Sequence, residues 1–400
     1  MSTPAVLTRR REYSGPALFS YGFRPFFLGG AAWAALGMLL WLPQYFGEIV
    51  LPTSFAPLDW HIHEMLYGYI CAVVAGFLLT AIPNWTGRLP VRGLALASLA
   101  ALWLAGRIAI LISAKIGAAT AAVIDVSFVV ALAAVAVREI VAGKNWRNLR
   151  VLVILAVFIA GNIVFHVEVQ NFGRADYGVR IGLAAAIGLI MLIGGRVVPS
   201  FTRNWLVREN PGRLPAPFSR FDVLSLAVAG IALAGWAAWP DHAASGLLLI
   251  TAAVLQAMRL GRWAGERTFA DRLVLILHVA YAFVPLGFFL IGGAILWPAL
   301  LPASAGLHAW TAGVIGLMPL AVMTRASLGH TGRPLAASPA TQVIYLCALI
   351  AVLARIAASF GAGFELLHVA AFAWIAAFGG FVAIYGPLLV RKPPAGAGRA

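Results

Sequence analysis

Trp60-His61-Ile62-His63-Glu64-Met65-Leu66-Tyr67-Gly68-Tyr69-Ile70-Cys71-Ala72-Val73-Val74-Ala75-Gly76-Phe77-Leu78-Leu79-Thr80-Ala81-Ile82-Pro83 opens on two histidines and a glutamate, then runs without a charge to its proline. About 20 apolar residues cross the hydrocarbon of a bilayer at ~1.5 Å of helix each, so this stretch reads as a membrane span. Similar runs predict twelve spans, at 26–43, 61–83, 94–114, 118–137, 151–170, 178–199, 222–239, 243–260, 270–296, 307–328, 339–359 and 363–390. Composition agrees: 62% of residues are hydrophobic and 11% charged, where a soluble domain carries about a quarter charged. The expected fold is an all-α integral membrane protein of about twelve transmembrane helices. The connections are too short for a second folded domain, so a polytopic unit over 26–390 is flanked by tails at 1–25 and 391–400.

The net charge of +15 invites a nucleic-acid reading, but the placement of the basic residues excludes it. Arg9, Arg10, Arg11 and Arg24 precede the first span; Arg88 and Arg92 follow the second; Arg138, Lys144, Arg147 and Arg150 follow the fourth. Arg203, Arg208, Arg213 and Arg220 come after the sixth, and Arg259, Arg262, Arg267 and Arg272 surround the turn after the eighth. Arg325, Arg333, Arg391, Lys392 and Arg399 complete that side, against Lys115, Arg174 and Arg180 on the other. By the positive-inside rule both termini are cytoplasmic. Arg9-Arg10-Arg11 has the look of an export signal, but no short apolar core with a cleavage site follows promptly, so the first helix is expected to be retained. Cys71 and Cys347 lie on different spans without CxxC spacing and read as small buried hydrophobes.

The histidines carry the chemistry. Imidazole in hydrocarbon is costly unless paired, and a group of them points to metal. His61 and His63 project roughly 200° apart on a helix, so they serve two centres, or one ligates while the other caps. Met65 lies one turn beyond His61 and Tyr67 one turn beyond His63. An interfacial aromatic belt including Trp60 is the structural alternative. His166 is either a ligand or the polar end of the fifth helix. His308 opens the tenth, where Gly313 and Gly316 admit a flat cofactor or a close-packed helix. His368, one turn after Glu365, is a ligand or a pair partner. His278 stands among aliphatics as a ligand or a backbone-bonded core residue, His330 reads as a cap in a Gly-His-Thr-Gly turn, and His242 as solvated. Arg107 and Asp125 come level in an antiparallel hairpin and form an ion pair. Arg355 either snorkels or holds a haem propionate, and Arg196 snorkels.

Spans two, six and ten end alike, in Trp85-Thr86-Gly87-Arg88, Phe201-Thr202-Arg203 and Thr331-Gly332-Arg333. Three pseudo-repeats of four helices would match the plan of haem–copper oxidase catalytic subunits, where helices two and ten clasp a haem. The oxidase pattern itself fails, because span seven has no His-His pair and span six no histidine.

The string 60–69 resembles the signature of the NnrS family. So do Phe19-Ser20-Tyr21-Gly22-Phe23-Arg24-Pro25-Phe26-Phe27, Gly195-Arg196-Val197-Val198-Pro199-Ser200-Phe201-Thr202 and Met323-Thr324-Arg325-Ala326-Ser327-Leu328-Gly329-His330-Thr331-Gly332-Arg333. The resemblance implies a bacterial inner-membrane protein that contains haem and copper, accompanies denitrification and protects against nitric oxide and nitrosative stress. It points to His61, His63, His308 and His330, and raises His330 above its reading as a cap. The expectation is haem held by His61 or His63 together with His308, a copper-type site drawing on His166 and His368, and His278 at a deeper centre. Nitric oxide is then bound or converted with electrons from an unidentified donor. A metal or small-anion transporter, or a haem- or copper-binding sensor or assembly factor without turnover, are the competing readings.

Overall fold

Backbone amides in hydrocarbon find no water, so each apolar run must satisfy its own hydrogen bonds as a helix. The computed structural model describes residues 13–361 and 363–392, and the Arg9–Arg11 run lies outside them. Among the described residues twelve helices are long and apolar enough to span: α1 Phe23–Tyr45, α2 Pro57–Thr86, α3 Leu94–Leu111, α4 Ala118–Ala142, α5 Leu149–Phe172, α6 Tyr177–Glu209, α7 Arg220–Ala238, α8 Ala243–Gly261, α9 Arg272–Leu296, α10 Ala303–His330, α11 Pro339–Ala358 and α12 Glu365–Val390. The chain is a multi-pass membrane protein, and an even number of crossings returns both described ends to one face.

The bounds differ from the sequence reading mainly where polar residues extend a helix beyond its apolar core. The helix α2 starts four residues earlier than 61, at a proline suited to the first turn. The helix α6 runs on to Glu209, ten residues past 199. At the N-terminus α1 begins at Phe23 rather than 26. The residues before it pack on the bundle, with Ala17 buried and the Arg24 guanidinium donating to the carbonyls of Leu389 and Arg391 at 2.8 and 2.9 Å.

Burial sorts the helices. The apolar windows of α2 and α10 are 78% buried, against 33% to 39% for α3, α4, α5, α7, α8, α11 and α12, so α2 and α10 run through the middle. Consecutive helices pair as α3 on α4, α5 on α6, α8 on α9 and α11 on α12, and α12 returns to pack on α1. Both central helices change pitch at the same relative place. A π-helical segment, Glu64–Tyr69, follows His63 in α2, and another, Ala309–Leu317, follows His308 in α10. Such segments free backbone carbonyls and re-aim side chains. The indole of Trp103 takes up the Gly68 carbonyl at 2.9 Å. The helix α6 is α-helical throughout, so α2 and α10 share this feature without it.

Close crossings rest on glycine. Gly178, in the first turn of α6, lies against the Phe165 backbone of α5, and a Cβ there would collide with it. Gly379 of α12 faces open space. Gly178→Ala should lower stability by about 1–3 kcal/mol through forced separation of α5 and α6. Gly379→Ala should leave it unchanged or raise it by up to ~1 kcal/mol through helix propensity. Thermal unfolding in detergent decides between them, and equal midpoints for the two variants would refute the close approach.

Candidate functional site

The first turns of α2 present two faces to two different environments. On one face His63 and Glu64 are fully buried and meet α3, α4 and α5. Arg107 of α3 donates through Nη1 to both Glu64 oxygens at 2.7 Å, and through Nη2 to Asp125 Oδ1 on α4. Gly68 makes room for that guanidinium, because a Cβ there would strike it. The indole of Trp33 on α1 adds a 2.6 Å bond to Glu64 Oε2. The expected Arg107–Asp125 pair is present, with Glu64 as a second carboxylate that the hairpin argument did not find.

His63 is held through Nδ1, which donates to Glu64 Oε1 at 3.0 Å. Its Nε2 then faces two oxygens, Asp125 Oδ2 at 3.3 Å and Asn162 Oδ1 at 3.2 Å. A lone pair does not sit well between two acceptors; a proton or a cation belongs there. The Asn162 amide donates to Asp125 Oδ2 at 2.8 Å, and His166 Nε2 lies 3.1 Å from the same oxygen. Buried His166 Nδ1 has no hydrogen-bond partner among the described residues.

These residues could hold a small transition-metal ion. One donor atom from each of His63, Asp125 and His166 lies within 4.8 Å of the others. Tetrahedral ligands at ~2.0–2.1 Å from a metal stand about 3.3 Å apart, close to the 3.1 and 3.3 Å separations here. Imidazole with one carboxylate suits copper or zinc. The Glu64 carboxylate behind His63 fixes its ring and tautomer, as carboxylates do behind metal-bound histidines.

On the other face His61 lines a cavity of about 340 Å³ between α1, α2, α6, α10, α11 and α12. Its ring stacks on Trp41 with centroids 4.1 Å apart, and its buried Nδ1 has no hydrogen-bond partner among the described residues. His308 of α10 lines the same cavity, as do Arg355 of α11 and the Met65 thioether. His308 Nδ1–H donates to the Ser304 carbonyl at 2.6 Å, which leaves Nε2 as the free lone pair. Two imidazoles with available nitrogens, apolar walls and one cation fit a haem whose propionate would meet Arg355. Gly313 and Gly316 do not enlarge this space: side chains there would meet Phe283 and Trp374, so these glycines serve close packing.

The remaining sequence candidates lie elsewhere. His368, expected to share a copper-type site with His166, stacks on Phe46 with centroids 5.0 Å apart and bonds the Phe364 carbonyl at 3.1 Å, and it is not part of the group that His166 forms with His63 and Asp125. His278 sits on α9 with Nε2 2.7 Å from the Thr202 hydroxyl of α6. His330 packs on Tyr21 and Phe23, which joins two of the quoted motifs at the face of the termini. His242 caps α8 through Ala244 N. Arg259, counted from sequence among the loop charges, is fully buried and binds Asp222, Tyr281 and the Met191 carbonyl. Its guanidinium occupies the space left by Gly195.

A family model described as NnrS protein matches residues 17–392, nearly the whole chain. No curated protein and no solved structure is significantly similar to it.

Because Arg107 holds two carboxylates in hydrocarbon, Arg107→Ala should destabilise by about 3–5 kcal/mol, the cost of stranding a buried charge. Adding Glu64→Gln should recover part of that loss. Unfolding midpoints in detergent test both, and a double variant as unstable as the sum of its single variants would show that Arg107 and Glu64 act independently.

Proposed function

We propose the following role for this chain, which belongs to the NnrS family of nitric oxide-response membrane proteins: it holds haem and copper at two adjacent histidine sites and captures nitric oxide there. The observation that supports this reading most is the placement of His61 and His63. Two residues apart on α2, they serve one cavity with a second imidazole and a cation, and one closed cluster with a second imidazole and a carboxylate.

Bound in these places, haem held by His61 and His308 would supply iron able to bind a diatomic gas, and copper held by His63, Asp125 and His166 would supply one-electron chemistry. The protein's own part is positioning and exclusion of water. Ser304 orients His308, and Glu64 orients His63. Arg355, at the edge of the cavity, would meet the negative charge of a haem propionate. Walls such as Leu66, Leu183, Ile315 and Trp374 keep the cavity apolar. An uncharged diatomic partitions into such walls from the lipid without desolvation cost. Capture there limits nitrosylation elsewhere in the cell, and turnover would need an electron donor outside the chain. Both termini are cytoplasmic in this reading, in a bacterial inner membrane.

Optical spectra and metal analysis of purified variants test the assignment. His308→Ala should abolish or shift the Soret band and keep copper. His63→Ala and His166→Ala should reduce copper content at least ten-fold and keep the Soret band. A wild-type protein without a Soret band that moves metal or anions into vesicles would instead establish a transporter.

A further inference from the structure

The cytoplasmic end of α5 and α6 carries an unneutralised cluster of positive charge. Arg147, in the turn before α5, and Arg150, in its first turn, face Arg196 and Arg203 of α6 across a vestibule of about 1030 Å³. All four are exposed, and none has an ion-pair or hydrogen-bond partner among the described residues. The one carboxylate on the vestibule wall, Asp222, is committed to Arg259, Arg262 and the Ser219 cap. Guanidiniums that repel one another without counter-charge are a standing site for an anion, and arginine suits a phosphodiester by its forked geometry.

The vestibule continues into the membrane. Arg150, Leu192 and Leu226 also line a groove of about 890 Å³ that climbs between α5, α6 and α7. Its wall is almost wholly apolar, and Gly188 and Gly230 hollow it out: a Cβ at either would meet nothing within 4 Å. Anionic head site and hydrocarbon groove are therefore continuous. A soluble anion would use only the first, and a neutral lipid only the second.

We propose that this surface is a binding site for an anionic phospholipid of the cytoplasmic leaflet, its phosphate among Arg147, Arg150, Arg196 and Arg203 and its acyl chains in the groove past Gly188 and Gly230. The site gives a role to Arg196, which belongs to the 195–202 motif and touches neither histidine site. Basic pockets at the cytoplasmic ends of membrane helices recognise anionic headgroups in this way.

Native mass spectrometry of the full-length protein, titrated in detergent with phosphatidylglycerol or phosphatidylcholine, tests it without reference to metal content. Phosphatidylglycerol should bind at least ten-fold tighter than phosphatidylcholine. Each arginine near the surface contributes roughly five-fold, so Arg147→Gln with Arg196→Gln should weaken phosphatidylglycerol binding by about 25-fold. Arg220→Gln with Arg272→Gln, equal in charge but outside the vestibule, should change it less than two-fold. Gly188→Leu and Gly230→Leu should weaken it as well, since they fill the groove without disturbing packing. Equal binding of the two lipids, or equal effects of the two arginine pairs, overturns the site. Displacement of the lipid by millimolar inorganic phosphate, with the glycine variants silent, would make it a soluble-anion site and overturn the proposal too.

Discussion

One guanidinium shared by two carboxylates inside the membrane sets the terms for the half of the bundle away from the termini. Arg107 ties α3 to Glu64 on α2 and to Asp125 on α4, and Asp125 passes the tie to Asn162 and His166 on α5. Each ion is expensive in hydrocarbon by itself, and together they hold only because nearly every oxygen has a donor. The formal count is one positive against two negative charges. The deficit is one positive unit, and the gap at His63 Nε2 is where it can be supplied, by a proton or by a coordinated cation. A cation bound there would meet the same need that a proton meets.

Helical pitch explains why the two sites stand back to back. The histidines of α2 are two residues apart, so helical geometry forbids one shared ion and sends them to opposite faces. The π-helical turn that follows lets Gly68 approach Arg107 and sets Tyr69 toward α10, where its hydroxyl reaches the Ile315 carbonyl at 3.5 Å within the second π segment. The two wide turns therefore meet at the wall of the cavity. A polar closed cluster and an apolar open cavity share one helix, with Glu64 and Trp41 marking their separate sides.

What was legible in the sequence is what depends on periodicity and charge. Apolar length gave twelve spans, and hairpin register gave Arg107 opposite Asp125. The divergence of His61 and His63 followed from helical pitch. Glu64 was visible as a carboxylate inside a span, yet its partner lay 43 residues on in α3 and no local rule names it. Asn162 carried no signal, because an amide in a span is unremarkable until its neighbours are known. His368 shares a bilayer depth with the other histidines, but depth does not fix azimuth, and its ring turns to Phe46. Arg259 was misplaced because a helix-end arginine looks the same whether it reaches water or folds back onto Asp222. The glycines of α10 were ambiguous between a cofactor and a neighbouring side chain, and Phe283 and Trp374 decide it.

Accessibility separates the two sites in kinetics as well as chemistry. His63 is 0% exposed, with Asp125 and His166 at 3% each, so an ion in that cluster has no open path. Its entry or loss requires α2 to part from α4 and α5, which breaks the Arg107 bridge. An ion bound there would therefore enter as the bundle assembles and exchange slowly afterwards. His61, His308 and Arg355 are half-buried around a cavity, and a ligand there exchanges without disturbing any ion pair. A closed polar cluster beside an accessible apolar chamber is an arrangement in which small uncharged molecules can come and go while the charged scaffold stays fixed.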